Sequence, residues 1–447
     1  MKINNIYIGV YILLSLVFVP LWFILKPDVG AVTYEQITHE VTYVEIGDEI
    51  PMNHQILKKT YDYDAISLTN IMRNNQYEFT YLSEQNEPMF FENHRSEFIA
   101  SRHGLAIYVA SLYKNDRLAH IVNLGYYLQY EPFDAEDETW IGLNQSNFMS
   151  ALEQNPSGKF YLSENINLNT RNRLIEIFSG ILYNPYKFVI TNVNDIEDED
   201  DQGLFRVIDN AIIDGIIIKN SRIDGTDDSG PMMSSTVGFL SSAAFSSFIS
   251  NVSVEGDISF DYALDSGGLI GNSVYSIYRY VSFTGSIKNS SNTGGIIGTN
   301  VGYFENVKSL SQVILTKVNT IENSYVDADL SESYSIGGFI GYHYFRTELN
   351  MKSIYATGTI DRSQSIDYAR YIGYLATSVL MDGDFNYEYA YTTYPLFLDL
   401  EIDAHDVDQI TFILVEEMYR DTPLVGLENF IFSTNDIPRL PYWRIGS

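Results

Sequence analysis

The chain has no cysteine among its 447 residues, which excludes disulfides, thiolate metal sites and a cysteine nucleophile. Cations are scarce as well: 27 lysines and arginines face 58 aspartates and glutamates, a balance of 27 − 58 = −31. A face that holds a nucleic-acid backbone needs the opposite sign, so no nucleic acid is expected as partner. Histidine is rare too, and His39, His54, His94, His103, His120, His343 and His405 show no ligand spacing. His39-Glu40 lacks the second histidine of the helical zinc-protease motif H-E-x-x-H, which occurs nowhere in the chain. A lysine-bearing phosphate loop and a G-x-S-x-G nucleophile elbow are missing as well. The acidic excess suits solubility outside the cell, and secondarily a cation or a basic partner. A large stacked core needs no disulfide staples, so the missing cysteines do not argue against export.

Long hydrophobic runs are confined to one place. Ile6 to Leu25 is uncharged and interrupted only by Gly9, Ser15 and Pro20. Twenty helical residues at about 1.5 Å each span the hydrocarbon core of a bilayer, about 30 Å. Residues 1–31 are therefore read as a transmembrane helix that anchors the chain, with Trp22 at the interface. The other reading is a signal peptide cleaved near Val29-Gly30-Ala31. Either way the body is exported.

What the chain has instead is a repeated phrase of small residues around two large apolar ones. It reads Gly267-Gly268-Leu269-Ile270-Gly271, Gly294-Gly295-Ile296-Ile297-Gly298 and Gly337-Gly338-Phe339-Ile340-Gly341. Looser copies are Val237-Gly238-Phe239-Leu240-Ser241 and Arg370-Tyr371-Ile372-Gly373. An alternating segment follows, with glycine at Gly256, Gly285 and Gly358. The offsets are 256 − 238 = 18, 285 − 268 = 17 and 358 − 338 = 20, while Ser311 takes the corresponding place after Gly295. A near-constant offset inside repeats of unequal length describes a solenoid, in which each coil buries its apolar face only by stacking on the next. Leu269, Ile296 and Phe339 should then occupy equivalent places on successive coils.

The phrase resembles the GLUG motif of bacterial surface and adhesin-like proteins. Similar to that family too are Ser157 to Leu168, Phe178-Ser179-Gly180-Ile181-Leu182, Gly203-Leu204-Phe205 and Ser353 to Ile360. The likeness covers residues 145–395. Ser241, Arg370 and Ser311 depart from its glycines. It implies a mainly β fold, a right-handed parallel β-helix, over residues 145–447 with a C-terminal cap. Some large surface proteases carry such repeats, which makes the missing H-E-x-x-H informative.

Residues 32–140 read as a small mixed α+β domain. Strand is expected from Val32 to Ile46, and a hairpin from Leu105 to Tyr130 turning at Lys114-Asn115-Asp116-Arg117. Asn147 is placed to cap a short helix through Phe148, Met149 and Leu152. Chemistry, if any, would rest on carboxylates. Asp327 with Asp329, and Asp382 with Asp384, stand two apart and would share a strand face; Asp224, Asp227 and Asp228 share a loop. These are the places where Ca²⁺ could be held, but with 58 acids in the chain such pairs arise by chance, and no catalytic, cofactor or metal residue is assigned. The functional expectation is a non-enzymatic, envelope-anchored protein whose body lies outside the cytoplasm and binds a glycan or protein ligand in adhesion or assembly. The alternative is a carbohydrate-active β-helix enzyme, a lyase or glycosidase.

Overall fold

Short alternating segments divided by tight corners give strands too brief to fold back on themselves, and here they stack in parallel. The structure, a computed structural model, describes residues 33–36, 41–51, 63–72, 75–81, 99–169, 173–194, 196, 201–226, 235–300, 319–333, 335–343, 349–361, 371–373, 376–378, 385–393, 410–413, 423–433 and 436–440. Among them the chain is mainly β. From Trp140 to Phe412 every described strand pairing is parallel, in one seven-stranded and one eighteen-stranded sheet. This is a coil of stacked strands, as the repeat requires.

Each coil visits four faces. The first face stacks Phe205–Asp209, Ser241–Phe245, Ile270–Val274, Ile297–Asn300 and Ile340–His343. The second stacks Ile181–Tyr183, Ile212–Asp214, Phe248–Ser250 and Ile277–Arg279, then the first halves of the long strands Asn319–Ser331 and Leu349–Asp361. The third carries Ile217–Thr226, Ser253–Gly267 and Ser282–Gly294, and the second halves of those long strands. On the fourth, the ends of Ser253–Gly267 and Ser282–Gly294 lie between Thr236–Gly238 and Ser335–Gly337.

Corners are columns of like conformation. Between the first and second faces Asn210, Ser246 and Tyr275 have φ of 55°, 45° and 53°. Between the second and third, Asn251, Tyr280, Asn323 and Ser353 have φ of 51°, 54°, 48° and 53°. Asparagine tolerates this left-handed region better than other side-chain-bearing residues, which explains its recurrence there. The glycine phrase makes the corner from the fourth face to the first. A Cβ on Gly341 would lie 2.4 Å from Thr293 N, and one on Gly298 2.6 Å from Ser266 N, so fourth- and first-face strands touch backbone to backbone. Inside the corner Leu269, Ile296 and Phe339 are fully buried and in equivalent positions: Leu269 N donates to Ile296 O at 3.1 Å and Ile296 N to Phe339 O at 3.0 Å.

The register corrects three details of the repeat. Gly238 pairs with Gly267, not Gly268, so Phe239 takes the second-glycine place and Ser241 matches Ile270 rather than Gly271. The Phe239 ring fills the space above Gly256 and stacks on Phe283 with centroids 6.4 Å apart; the offset becomes 256 − 239 = 17, equal to the next copy. Gly373, not Arg370, stands opposite the opening Gly337. Ala328, not Ser311, lies between Gly285 and Gly358 in the small-residue column; Ser311 is outside the described residues.

The N-terminal region forms a six-stranded sheet of β1 (Thr33–Gln36), β2 (Val41–Glu45), β3 (Ala65–Met72), β4 (Asn75–Tyr81), β5 (Gly104–Lys114) and β6 (Arg117–Tyr130). Its described residues lie in strands and their connections; residues 52–62 and 82–98 of the expected mixed domain are outside them. The β5–β6 hairpin turns where the sequence places it, on Asn115 and Asp116 with φ of 52° and 60°, the turn geometry whose twist suits paired strands. The expected helix is α1 (Phe148–Gln154), yet Asn147 does not cap it through its side chain. Its Oδ1 instead accepts from Asn144 N at 2.8 Å and its Nδ2 donates to Gly142 O at 3.0 Å.

This sheet does not stand apart from the solenoid. Leu105, Ile107, Val109, Ile121, Tyr126 and Leu128 pack on the outward side chains Ile181, Ile212, Phe248 and Ile277 of the second face. The C-terminal segment also lies against a flank. Leu427 and Phe430 are buried on the outward tyrosines Tyr355 and Tyr391, with Tyr325 stacked on Tyr355 at 5.3 Å. The described part of the C-terminal segment therefore lies against the side of the late coils. Among the described residues no helix is long and apolar enough to cross a membrane, and Ile6–Leu25 lies outside them.

Candidate functional site

The outward column of the second face changes chemistry along the stack. Ile181, Ile212, Phe248 and Ile277 stand in register, and the next residues are Thr320 and Asn350. The apolar residues lie under the N-terminal sheet; Thr320 is as buried as Ile277, and Asn350 is half-buried. A groove enclosing about 770 Å³ opens there. Val41 and Tyr43 of β2 form one wall, Asn429 of the C-terminal segment contributes the opposite one, and second-face strands are the floor. Asn429 is fixed by donating its Nδ2 to Asn323 Oδ1 at 2.9 Å.

A second outward column runs Arg279, Glu322, Lys352, Glu388, one residue per coil with alternating sign. Arg279 Nε lies 3.0 Å from Glu322 Oε2, and Lys352 Nζ lies 2.9 Å from Glu388 Oε2. Arg279 also donates to the Tyr43 hydroxyl and faces its ring at 5.5 Å, tying wall to floor. Burial pushes the Tyr43 hydroxyl up to about 12, partly opposed by Arg279. For Arg279 burial acts downward, but Tyr43 and Glu322 outweigh it and its pKa is raised. Thr320 is 3 % exposed and its Oγ1 has no hydrogen-bond partner among the described residues.

The residues singled out from sequence lie elsewhere. Asp327 and Asp329 do share a strand face, on the third face, each within a column of hydroxyls. Asp327 lies between Thr284 and Thr357, and Asp329 between Ser286 and Thr359, whose Oγ1 donates to it at 2.5 Å. Asp224 pairs with Arg222 at 2.8 Å; Asp227, Asp228, Asp382 and Asp384 are outside the described residues. No group of three or more histidines, aspartates or glutamates able to hold a metal occurs among the described residues. His103 Nε2 meets Ser179 O at 2.9 Å, joining the sheet to the first coils, and His343 Nδ1 lies 2.9 Å from Asn300 Nδ2 inside the stack. His120 sits in β6, while His39, His54, His94 and His405 are outside the described residues. Aligning the coils by their glycines, then reading the outward positions, would have shown the floor of the groove; reading for catalytic motifs could not.

Asp214 is a buried acid of the second face. Its Oδ1 accepts from Ser250 Oγ and Asn251 Nδ2, both at 2.5 Å, yet burial outweighs these bonds and raises its pKa from 3.8 to about 6. The folded state therefore holds the proton more tightly than the unfolded chain. Stability contributed by the neutral form is complete below pH 3.8 and is lost as pH rises to about 6, amounting to about 3 kcal/mol. Asp214→Asn should recover most of this at pH 7.5 and flatten the profile between these limits. Urea unfolding as a function of pH measures both; a variant no more stable than the parent at pH 7.5 refutes the assignment.

No family model matches the chain. Two curated proteins are similar to part of it, both named Immunoglobulin A1 protease. That of Streptococcus pneumoniae strain R6 is 24 % identical over 266 residues, 51 % of this chain and 13 % of that protein. That of strain TIGR4 is 26 % identical over 235 residues, 47 % of this chain and 11 % of that protein. A solved structure of IgA1 protease superposes with a TM-score of 0.43 at 16 % identity, over 74 % of this chain and 26 % of that one. This chain thus spans a small fraction of the length of the proteins it is similar to.

Proposed function

We propose that this chain is an exported, envelope-anchored surface protein of the GLUG-motif kind, whose right-handed β-helix binds a ligand in adhesion or assembly and does not cleave it. The observation that carries the reading is the groove between two lateral covers, floored by outward residues that turn polar where the sheet ends. Partial similarity to proteins named for acting on immunoglobulin A1 supports a place outside the cell, where that antibody is found. Ile6–Leu25 supplies the anchor in this reading.

Its test uses the full chain in detergent, incubated with glycans and with whole cells, with and without Ca²⁺. Retention without shortening of the glycan supports a binding role. Chain shortening that vanishes in Asp327→Asn or Asp329→Asn would replace it with a carbohydrate-active enzyme. A mature N-terminus at Val32, in protein released without detergent, would replace the anchor with a signal peptide.

A further inference from the structure

From the lining of this groove we infer that its ligand is a neutral linear oligosaccharide lying along the solenoid axis; the inference rests on the binding reading above and names its ligand class. Charge is the first consideration. Two cations and two anions form the ladder on the floor, and Arg279 with Glu322 and Lys352 with Glu388 are already paired. Such a floor has no net charge to recruit an ion, and a charged ligand would have to break pairs to find a partner.

Hydrogen bonding is the second. The floor and walls carry amides, carboxylates, an ammonium, a guanidinium and several hydroxyl-bearing residues, with Val41 and Ile277 as the aliphatic contribution, while the Met351 side chain belongs to the core. A peptide gains specificity from apolar or charged side-chain pockets, which this lining does not build. A ligand dense in hydroxyls, each both donor and acceptor, matches it better. Thr320 adds an independent sign. Its outward position is fixed by register with Ile277, and its hydroxyl is buried at the groove without a partner among the described residues. A buried polar group of this kind calls for an explanation, and a ligand hydroxyl supplies one.

Repetition is the third. Side chains in register recur about every 4.8 Å along the axis, and a ligand that repeats hydroxyls, each both donor and acceptor, can meet the differing polar groups of successive coils, Thr320 then Asn350 and Glu322 then Lys352. Linear glycans have that property.

The experiment titrates the full chain in detergent with neutral gluco-, manno- and galacto-configured tetrasaccharides, a tetra-uronate and an alternating Lys-Glu octapeptide. Saturable binding of at least one neutral tetrasaccharide is expected, with the uronate and the peptide about tenfold weaker or more. Thr320→Val and Lys352→Met should each weaken that binding about tenfold. Thr320→Val should also leave the unfolding midpoint unchanged or higher, because it removes a buried hydroxyl that lacks a partner. Failure of every neutral tetrasaccharide to bind overturns the inference, as does tighter binding of the uronate or the peptide. Neutral binding that is unchanged in both variants also overturns it, but leaves the surface-binding reading standing. Loss of cell-surface retention in the parent chain is what would remove that reading too.

Discussion

Ile297→Asp is expected to leave no folded solenoid. Ile297 is fully buried in the column Ile270, Ile297, Ile340, with a coil above and a coil below. A carboxylate there loses the isoleucine packing, about 2–5 kcal/mol for truncation of such a side chain, and adds several kcal/mol for a buried charge without a partner. Together these match the whole stability of a typical domain, about 5–15 kcal/mol. Stacked repeats hold together through nearest-neighbour contacts, so a break in the middle also uncouples the coils on either side. Ile297→Val is the control and should cost about 1 kcal/mol. Circular dichroism and limited proteolysis decide between the outcomes: a cooperative, protease-resistant Ile297→Asp protein would mean that the column is not a continuous core.

Phe248→Asp is expected to release the N-terminal sheet while leaving the coils stacked. Phe248 points outward, where an aspartate on a bare solenoid would be harmless. It is fully buried because the sheet covers it, and it meets the Tyr43 ring edge to face at 5.9 Å. The substitution removes an aromatic anchor worth about 3–5 kcal/mol and places a charge among Ile107, Tyr126, Ile212 and Ile277. Undocking exposes that apolar face and lets the charge reach water, which is the least costly escape for the molecule. The expected signature is protease cleavage within residues 33–130 alongside a resistant fragment containing the coils. Loss of the whole fold instead would show that sheet and solenoid form one cooperative unit. Since Tyr43 walls the groove, ligand binding should fall with sheet release, unlike in the Asp214→Asn protein.

Much of the coil was legible because its determinants are local. Glycine spacing marks the fourth-to-first corner, Asn115-Asp116 marks the hairpin turn, and the apolar residues around Phe148 mark the helix. What misled was also local: Val237-Gly238 looks like a glycine pair shifted by one, and only the space above Gly256 shows that Phe239 can take the second-glycine place. The partner of Gly295 lies at Ala328, where 328 − 295 = 33 exceeds the usual offset, so counting forward from the phrase lands on Ser311 instead. The groove was not legible by motif because it belongs to no segment. It exists where two distant parts of the chain stop covering one flank, and its floor residues are ordinary surface types.

The two covers recognise particular coils, the sheet by outward isoleucine and phenylalanine and the C-terminal segment by outward tyrosine. The gap between them is therefore a whole number of coils, and the stack acts as a ruler. Inserting one coil between those that carry Arg279 and Glu322 would move one jaw from the other by about 4.8 Å without altering either. A chain built this way can change the length of ligand it grips by copying a single repeat, leaving both gripping surfaces as they are.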